Sequence, residues 1–116
     1  MEEVDIFDEL EKMLKAEEIA KEKGVATAKV TKVERGLRKD FFDEKKLEEL
    51  GMNANDEVLV IHYETEWGET LREVYRVSTH RRSNLYKFFL NYGRPVEGKE
   101  VTIRFDKAKG RWRILI

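Results

Sequence analysis

The residues of this chain best suited to chemistry are cations and aromatics rather than nucleophiles. Arg72 and Arg76 in "LREVYRV" are four residues apart, so both side chains leave the same face of an extended strand. Arg104 in "VTIRFDK" and the pair Arg111 and Arg113 in "GRWRILI" share one face of a second hairpin, opposite Ile103 and Ile114. Lys107 and Lys109 load the turn between those strands, and Arg81 and Arg82 are adjacent in "STHRRSN". Tyr63 and Trp67 flank the first hairpin turn. Lys and Arg can track phosphates while an aromatic stacks a base, worth about 1–3 kcal/mol per base. The expected nucleic-acid site is therefore Arg72, Arg76, Arg81, Arg82, Arg104, Lys107, Lys109, Arg111, Arg113, Tyr63 and Trp67.

Other chemistries find little support. Cysteine is absent, which excludes disulfides, thiol nucleophiles and thiolate metal sites. His62 and His80, the only histidines, do not share a metal-ligand spacing. His62, between Ile61 and Tyr63, reads as a partly buried, hydrogen-bonded strand residue, and His80, beside Arg81 and Arg82, as a contact or loop residue. A metal-dependent nuclease would gather carboxylates, and two groups exist: Asp40, Asp43 and Glu44, then Glu64, Glu66 and Glu69. The first is explained by capping of a short helix and the second by an exposed hairpin turn. The glycines are scattered at turns and form no phosphate-cradling loop. No catalytic residue, metal or cofactor is expected.

Net charge is only −1, but it is unevenly spread. Residues 1–23 hold 4 basic and 9 acidic side chains, and residues 24–75 hold 8 and 12. Residues 76–116 hold 11 and 3, a net +8. Such asymmetry points to a polyanion partner. The opposing reading comes from the same composition. Charged residues make up 41% of the chain, and glutamine is missing along with cysteine. That fits a hyperthermophile, in which surface ion pairs are enriched for stability alone. Glu64, Glu66, Glu69 and Glu73 are then available to neutralise Arg72 and Arg76.

At 116 residues the chain is one domain by size. "VDIFDELEKMLKAEEIAKEKG" reads as an amphipathic helix, with Ile6, Phe7, Leu10, Met13, Leu14 and Ile19 at helical steps and Gly24 at its end. "ATAKVTKVER" alternates as a strand. "KDFFDEKKLEELGMNAND" is a connection with a helical turn near Asp43 to Leu50. "DEVLVIHYETEWGETLREVYRVS" is a hairpin turning at Gly68. In "STHRRSNLYKFFLNYGRP", Ser83 is an N-cap and Gly93 a C-terminal stop. Leu85, Phe88, Phe89 and Tyr92 share one helix face, expected to be core, with Arg81, Arg82, Lys87 and Tyr86 outside. "KEVTIRFDKAKGRWRILI" is a closing hairpin.

The order of these elements resembles the OB-fold, a five-stranded partly open barrel with its helix between the third and fourth strands. A similar arrangement occurs in small OB-like proteins of phages and archaeal mobile elements. "VYRVSTHRRSNLYKFFLNYG" and "GKEVTIRFDKAKGRWRI" carry the resemblance, which covers residues 26–116 and leaves the first helix outside. It implies binding of single-stranded DNA on the outer face of the second and third strands and beside the turn between the fourth and fifth. "LEELGMNANDEVLVIHYE" is also similar to the strand entry of AbrB-like transcription regulators, but Asn55 stands where that pattern has Gly.

The expected fold class is therefore α+β: a five-stranded OB-like barrel over residues 25–116 with a helix between strands 3 and 4, preceded by an amphipathic helix over residues 1–24. The expected function is a non-enzymatic, sequence-tolerant module for single-stranded nucleic acid. The alternative is a protein-interaction or regulatory module, a homodimer through the N-terminal helix. No 18-residue apolar run is present, so no membrane is expected. "MEEVDIFDEL" lacks the basic-then-apolar order of a signal peptide, so the expected location is the cytoplasm.

Overall fold

A computed structural model describes residues 2–116, with side chains from Asp5 onward. The elements are α1 (Glu2–Lys23), β1 (Val25–Leu37), α2 (Glu44–Glu49), β2 (Glu57–Thr65), β3 (Thr70–Arg76), α3 (Asn84–Tyr92), β4 (Glu100–Asp106) and β5 (Arg111–Ile114). The five strands are antiparallel neighbours in the order β3-β2-β1-β4-β5. They curl into a nearly closed, OB-like barrel.

The long strand β1 makes this curvature possible. Its first part pairs with β4, from Val25–Arg104 to Lys29–Glu100, while Ala28 to Leu37 pair with β2. The register to β2 shifts between Val30 and Lys32. An extra residue there bends the strand and increases its twist, so that one strand can serve two walls.

Alternation fills the interior. Ala28, Val30, Ile61, Tyr63, Tyr75, Val101, Ile103, Trp112 and Ile114 form one buried cluster. Phe88 of α3 enters it with no exposed surface, 5.7 Å from the Tyr75 ring and 5.0 Å from that of Tyr92. Ser83 caps α3 by accepting from the Tyr86 N–H at 3.2 Å, and Gly93 follows at φ 76°. The Tyr92 hydroxyl ties the helix end to the Leu115 carbonyl. The core face of α3 is narrower than its periodicity predicts. Phe88 is buried and Leu85 and Tyr92 are half-buried, but Phe89 is 53% exposed. A nine-residue helix plugging a barrel end presents one side chain to the interior and leaves its flanks to solvent.

α1 projects. Ala20 belongs to the core cluster and Ala16 packs on it, while the Met13 methyl approaches Gly68 at the β2–β3 turn. Beyond that contact Ile6, Phe7, Leu10 and Leu14 are each more than half exposed. The radius of gyration is 16.4 Å, against about 13 Å for a compact domain of this length. No helix among the described residues is long and apolar enough to cross a membrane.

Phe88→Ala should therefore cost about 3–5 kcal/mol of unfolding free energy, whereas Phe89→Ala should cost under about 1 kcal/mol. Urea denaturation of both variants checks this, and equal losses would contradict the placement of α3.

Candidate nucleic-acid interface

β3 and β5 are the sheet's two edges. They face each other across the barrel without a shared backbone ladder. Side chains close this seam. Arg113 on β5 donates from Nε and Nη2 to Glu73 Oε1 on β3, both at 3.1 Å. Trp67 and Trp112 pack against each other at a tilt of 44°, with centroids 5.1 Å apart. Glu73 is buried, and burial pushes its carboxyl above the ordinary range, against the pull of Arg113, Arg111 and the Ile114 N–H. The Tyr63 and Tyr75 hydroxyls nearby are pushed strongly upward by the same burial and by the Glu73 charge.

The outer faces of the seam strands carry the cations. Arg104 and Arg113 are directly opposite each other on β4 and β5, and Asp106 faces Arg111. Like charges directly opposite on antiparallel strands are destabilising. A groove of about 830 Å³ on this face is lined by Lys23, Asn84, Arg104, Asp106, Lys107 and Arg113. A second groove, of about 480 Å³, runs along the seam between Lys46, Arg72, Arg111 and Arg113, floored by Leu47, Leu50, Met52 and Val74. A third, of about 430 Å³, joins Arg72 and Arg111 to Lys21, Glu17, Glu69 and His62. Arg113 is shared by the first two grooves, and Arg72 and Arg111 by the last two, so they form one band.

Among the described residues, Arg72, Arg81, Arg82, Arg104, Lys107, Lys109 and Arg111 make no ion pair with a carboxylate. Arg113 bonds Glu73, and Arg76 lies 3.8 Å from Asp56. None of the hairpin glutamates neutralises Arg72 or Arg76 as expected: Glu73 is taken by Arg113, and Arg76 is near Asp56 instead. Glu69 instead accepts from the Trp67 indole N–H at 3.2 Å.

Two expectations are corrected. Tyr63 has no exposed surface and Trp67 only 4%, so neither can stack a base. Tyr63 shares its strand parity with Ile61 and points into the barrel, while Trp67 folds back from the turn onto Trp112. The half-buried aromatics that line the grooves are Phe42 and Phe105. Arg72 sits over Phe42 at 4.5 Å and Lys21 over Phe105 at 5.4 Å.

The second correction concerns the outer face of β2, which is not open. Val58 and Val60 have the opposite parity to Ile61 and Tyr63, yet are wholly buried outside the barrel cluster. The β1–β2 connection folds over them. It is anchored by the Arg38–Asp56 ion pair at 3.3 Å and buries Leu47 of α2. Its Phe42, Leu47 and Leu50 line the seam groove with Val74, the cross-strand neighbour of Val60. The open surface therefore moves from β2 and β3 to the seam and β4–β5.

The structure brings Arg72, Arg104, Lys107, Arg111 and Arg113 into the band. Arg76, Arg81, Arg82 and Lys109 are exposed but line none of its grooves. Lys23 and Lys46, which sequence reasoning missed, join it. Lys46 sits four residues before Leu50, and both line the seam groove, a signal visible in "KKLEEL".

The remaining polar candidates do structural jobs. Asp43 caps α2 by accepting from the Lys45 N–H at 2.9 Å, and Asp40 accepts from the Leu37 N–H at 2.9 Å. The His80 Nδ1 accepts from the Arg82 N–H at 3.1 Å. His62 departs from expectation: Nε2 lies 3.5 Å from Glu34 Oε1 without a directed hydrogen bond. No group of three or more His, Asp or Glu able to hold a metal occurs among the described residues.

Comparison with protein-family models, curated proteins and solved structures gave no match to this chain.

Glu73 gives the seam a pH signature. Its folded pKa is raised, so the folded state holds this proton more tightly than the unfolded chain. Its contribution to stability is full below the ordinary carboxylate pKa and is lost as pH rises through the folded value. Glu73→Gln removes that loss, so the variant should gain on the wild type between pH 4 and pH 7. Urea melts at both pH values test this, and a constant difference would contradict it.

Proposed function

We propose that the chain is a non-enzymatic module that binds single-stranded nucleic acid through its phosphate backbone, with little sequence preference. The observation that carries this reading is the set of cations Arg72, Arg104, Lys107 and Arg111, which have no carboxylate partner among the described residues and lie along one outer surface beside the Glu73-bound Arg113. A polyanion laid across them supplies the missing counter-charge and releases its own counterions. Base stacking is not part of the reading, because Tyr63 and Trp67 are buried and the rings of Phe42 and Phe105 each carry a cation. A protein-interaction role is the second reading, favoured by the exposed apolar side chains of α1.

Fluorescence anisotropy with labelled oligonucleotides tests the proposal. With about four phosphate contacts, the logarithm of the affinity should fall with the logarithm of salt at a slope of about −3. Arg104→Ala with Arg111→Ala should weaken binding about tenfold or more at low salt and flatten that slope by about 1.4. An abasic strand should bind within about threefold of a pyrimidine strand, since stacking would otherwise add about 1–3 kcal/mol per base. Absence of binding at low salt removes the proposal. A large preference for the base-bearing strand removes its backbone-only form.

A further inference from the structure

The projecting helix and the seam groove are complementary in both shape of apolarity and sign of charge. At 100° per residue, Ile6, Phe7, Leu10 and Leu14 form one stripe on α1, and all four are more than half exposed. Glu11 and Glu18 border the stripe on one side and Glu9 on the other, while Lys12 and Lys15 lie on the far side of the helix. The seam groove has the converse composition. Its apolar floor exposes Leu50 at 60% and Met52 at 49%, and Lys46, Arg72 and Arg111 rim it. Pairing of two α1 stripes would instead bring their glutamate borders together and leave Lys12 and Lys15 outside.

α1 cannot easily turn back onto its own groove. It is continuous from Glu2 to Lys23, and its last turns are already fixed by Ala16 and Ala20 against the barrel. We propose that α1 of one copy docks in the seam groove of a second copy, reciprocally, to form a two-fold dimer. The apolar stripe covers Leu50 and Met52, and Glu9, Glu11 and Glu18 reach Lys46, Arg72 and Arg111. Reciprocity makes the contact twice, as a self-complementary two-fold interface requires. The dimer does not depend on nucleic-acid binding: an oligonucleotide that fails to bind leaves it standing, and a monomeric protein leaves the oligonucleotide reading standing.

The absence of native cysteine allows a direct test on the full chain. Leu10→Cys and Leu50→Cys, both at exposed positions, are made in separate chains, mixed and oxidised. A disulfide between the two variants is expected. Leu10→Cys chains linked only to each other would show helix-to-helix pairing and overturn the proposal. Sedimentation of the unmodified protein should show a dimer that weakens as salt rises, and a monomer at all concentrations overturns it. Arg111→Glu should loosen the dimer about tenfold, and Glu11→Lys in the same chain should recover most of that loss. A dimer indifferent to Arg111→Glu also overturns it.

Discussion

β3 and β5 present edges to each other that no backbone ladder joins, and the barrel closes there through the buried Glu73 carboxylate held by Arg113. An edge left open is a template for pairing with another chain. Here the gap is occupied by an ion pair and by the mutually packed Trp67 and Trp112. The pair is demanding. Glu73 loses its hydration, which raises its pKa, and Arg113 must stay beside it although its own side chain is 43% exposed. A buried ion pair of this kind is a weak source of net stability, because desolvation offsets attraction, but loss of one partner is severe. Its consequence here is geometric. Arg113 is drawn over the seam, which leaves Arg104 opposite it without an acid and sets Arg72 and Arg111 along one groove.

The same closure decides where the aromatics go. Trp67 folds back from its hairpin turn to pack at a tilt on Trp112, and its N–H donates to Glu69. Tyr63 follows from the pleat: once Ile61 faces the interior, so must Tyr63. At the seam, surface and interior thus divide by chemistry, with the indole and phenol rings inside and most guanidinium groups outside. Phe42 and Phe105, which line the grooves, are covered by cations of the chain itself.

Much of this was legible from residue patterns. The antiparallel elements, the Ser83 cap, the stop at Gly93, the Asp43 cap of α2 and the outward direction of Arg72, Arg104 and Arg111 all follow from local rules that tertiary context did not override. What was not legible depends on two strands at once. "EVLVIHY" is apolar at both parities from Val58 to Tyr63, which signals a strand covered on both sides. That signal could have shown that the β1–β2 connection lies over β2. The burial of Trp67 could not be read, because its partner Trp112 is distant in sequence and the seam that joins them has no sequence period. Phe89 misled for the opposite reason: its period was helical, but a helix capping a barrel end uses a narrower face than one lying along a sheet.

Charge segregation is the feature that stability alone does not explain. A chain enriched in charge for heat resistance would interleave signs, since only neighbouring opposite charges attract through a screening length of about 8–10 Å. Here acids collect on α1, where Glu9, Glu11 and Glu18 border the exposed stripe, and cations collect on β4, β5 and the seam. Each region repels itself, and Arg104, opposite the Glu73-bound Arg113, has no acid of its own. The fold could have relieved that repulsion by turning one of these strand positions acidic, as it does at Asp106 opposite Arg111. Instead the adjacent pair is Arg104 and Arg113, and Glu73 is taken up by Arg113 inside the seam, which leaves Arg104 unbalanced. A surface held in this state gains free energy when an acidic ligand arrives. A phosphate backbone and the glutamate-bordered stripe of a second α1 both meet that description, and they would compete for Arg72 and Arg111.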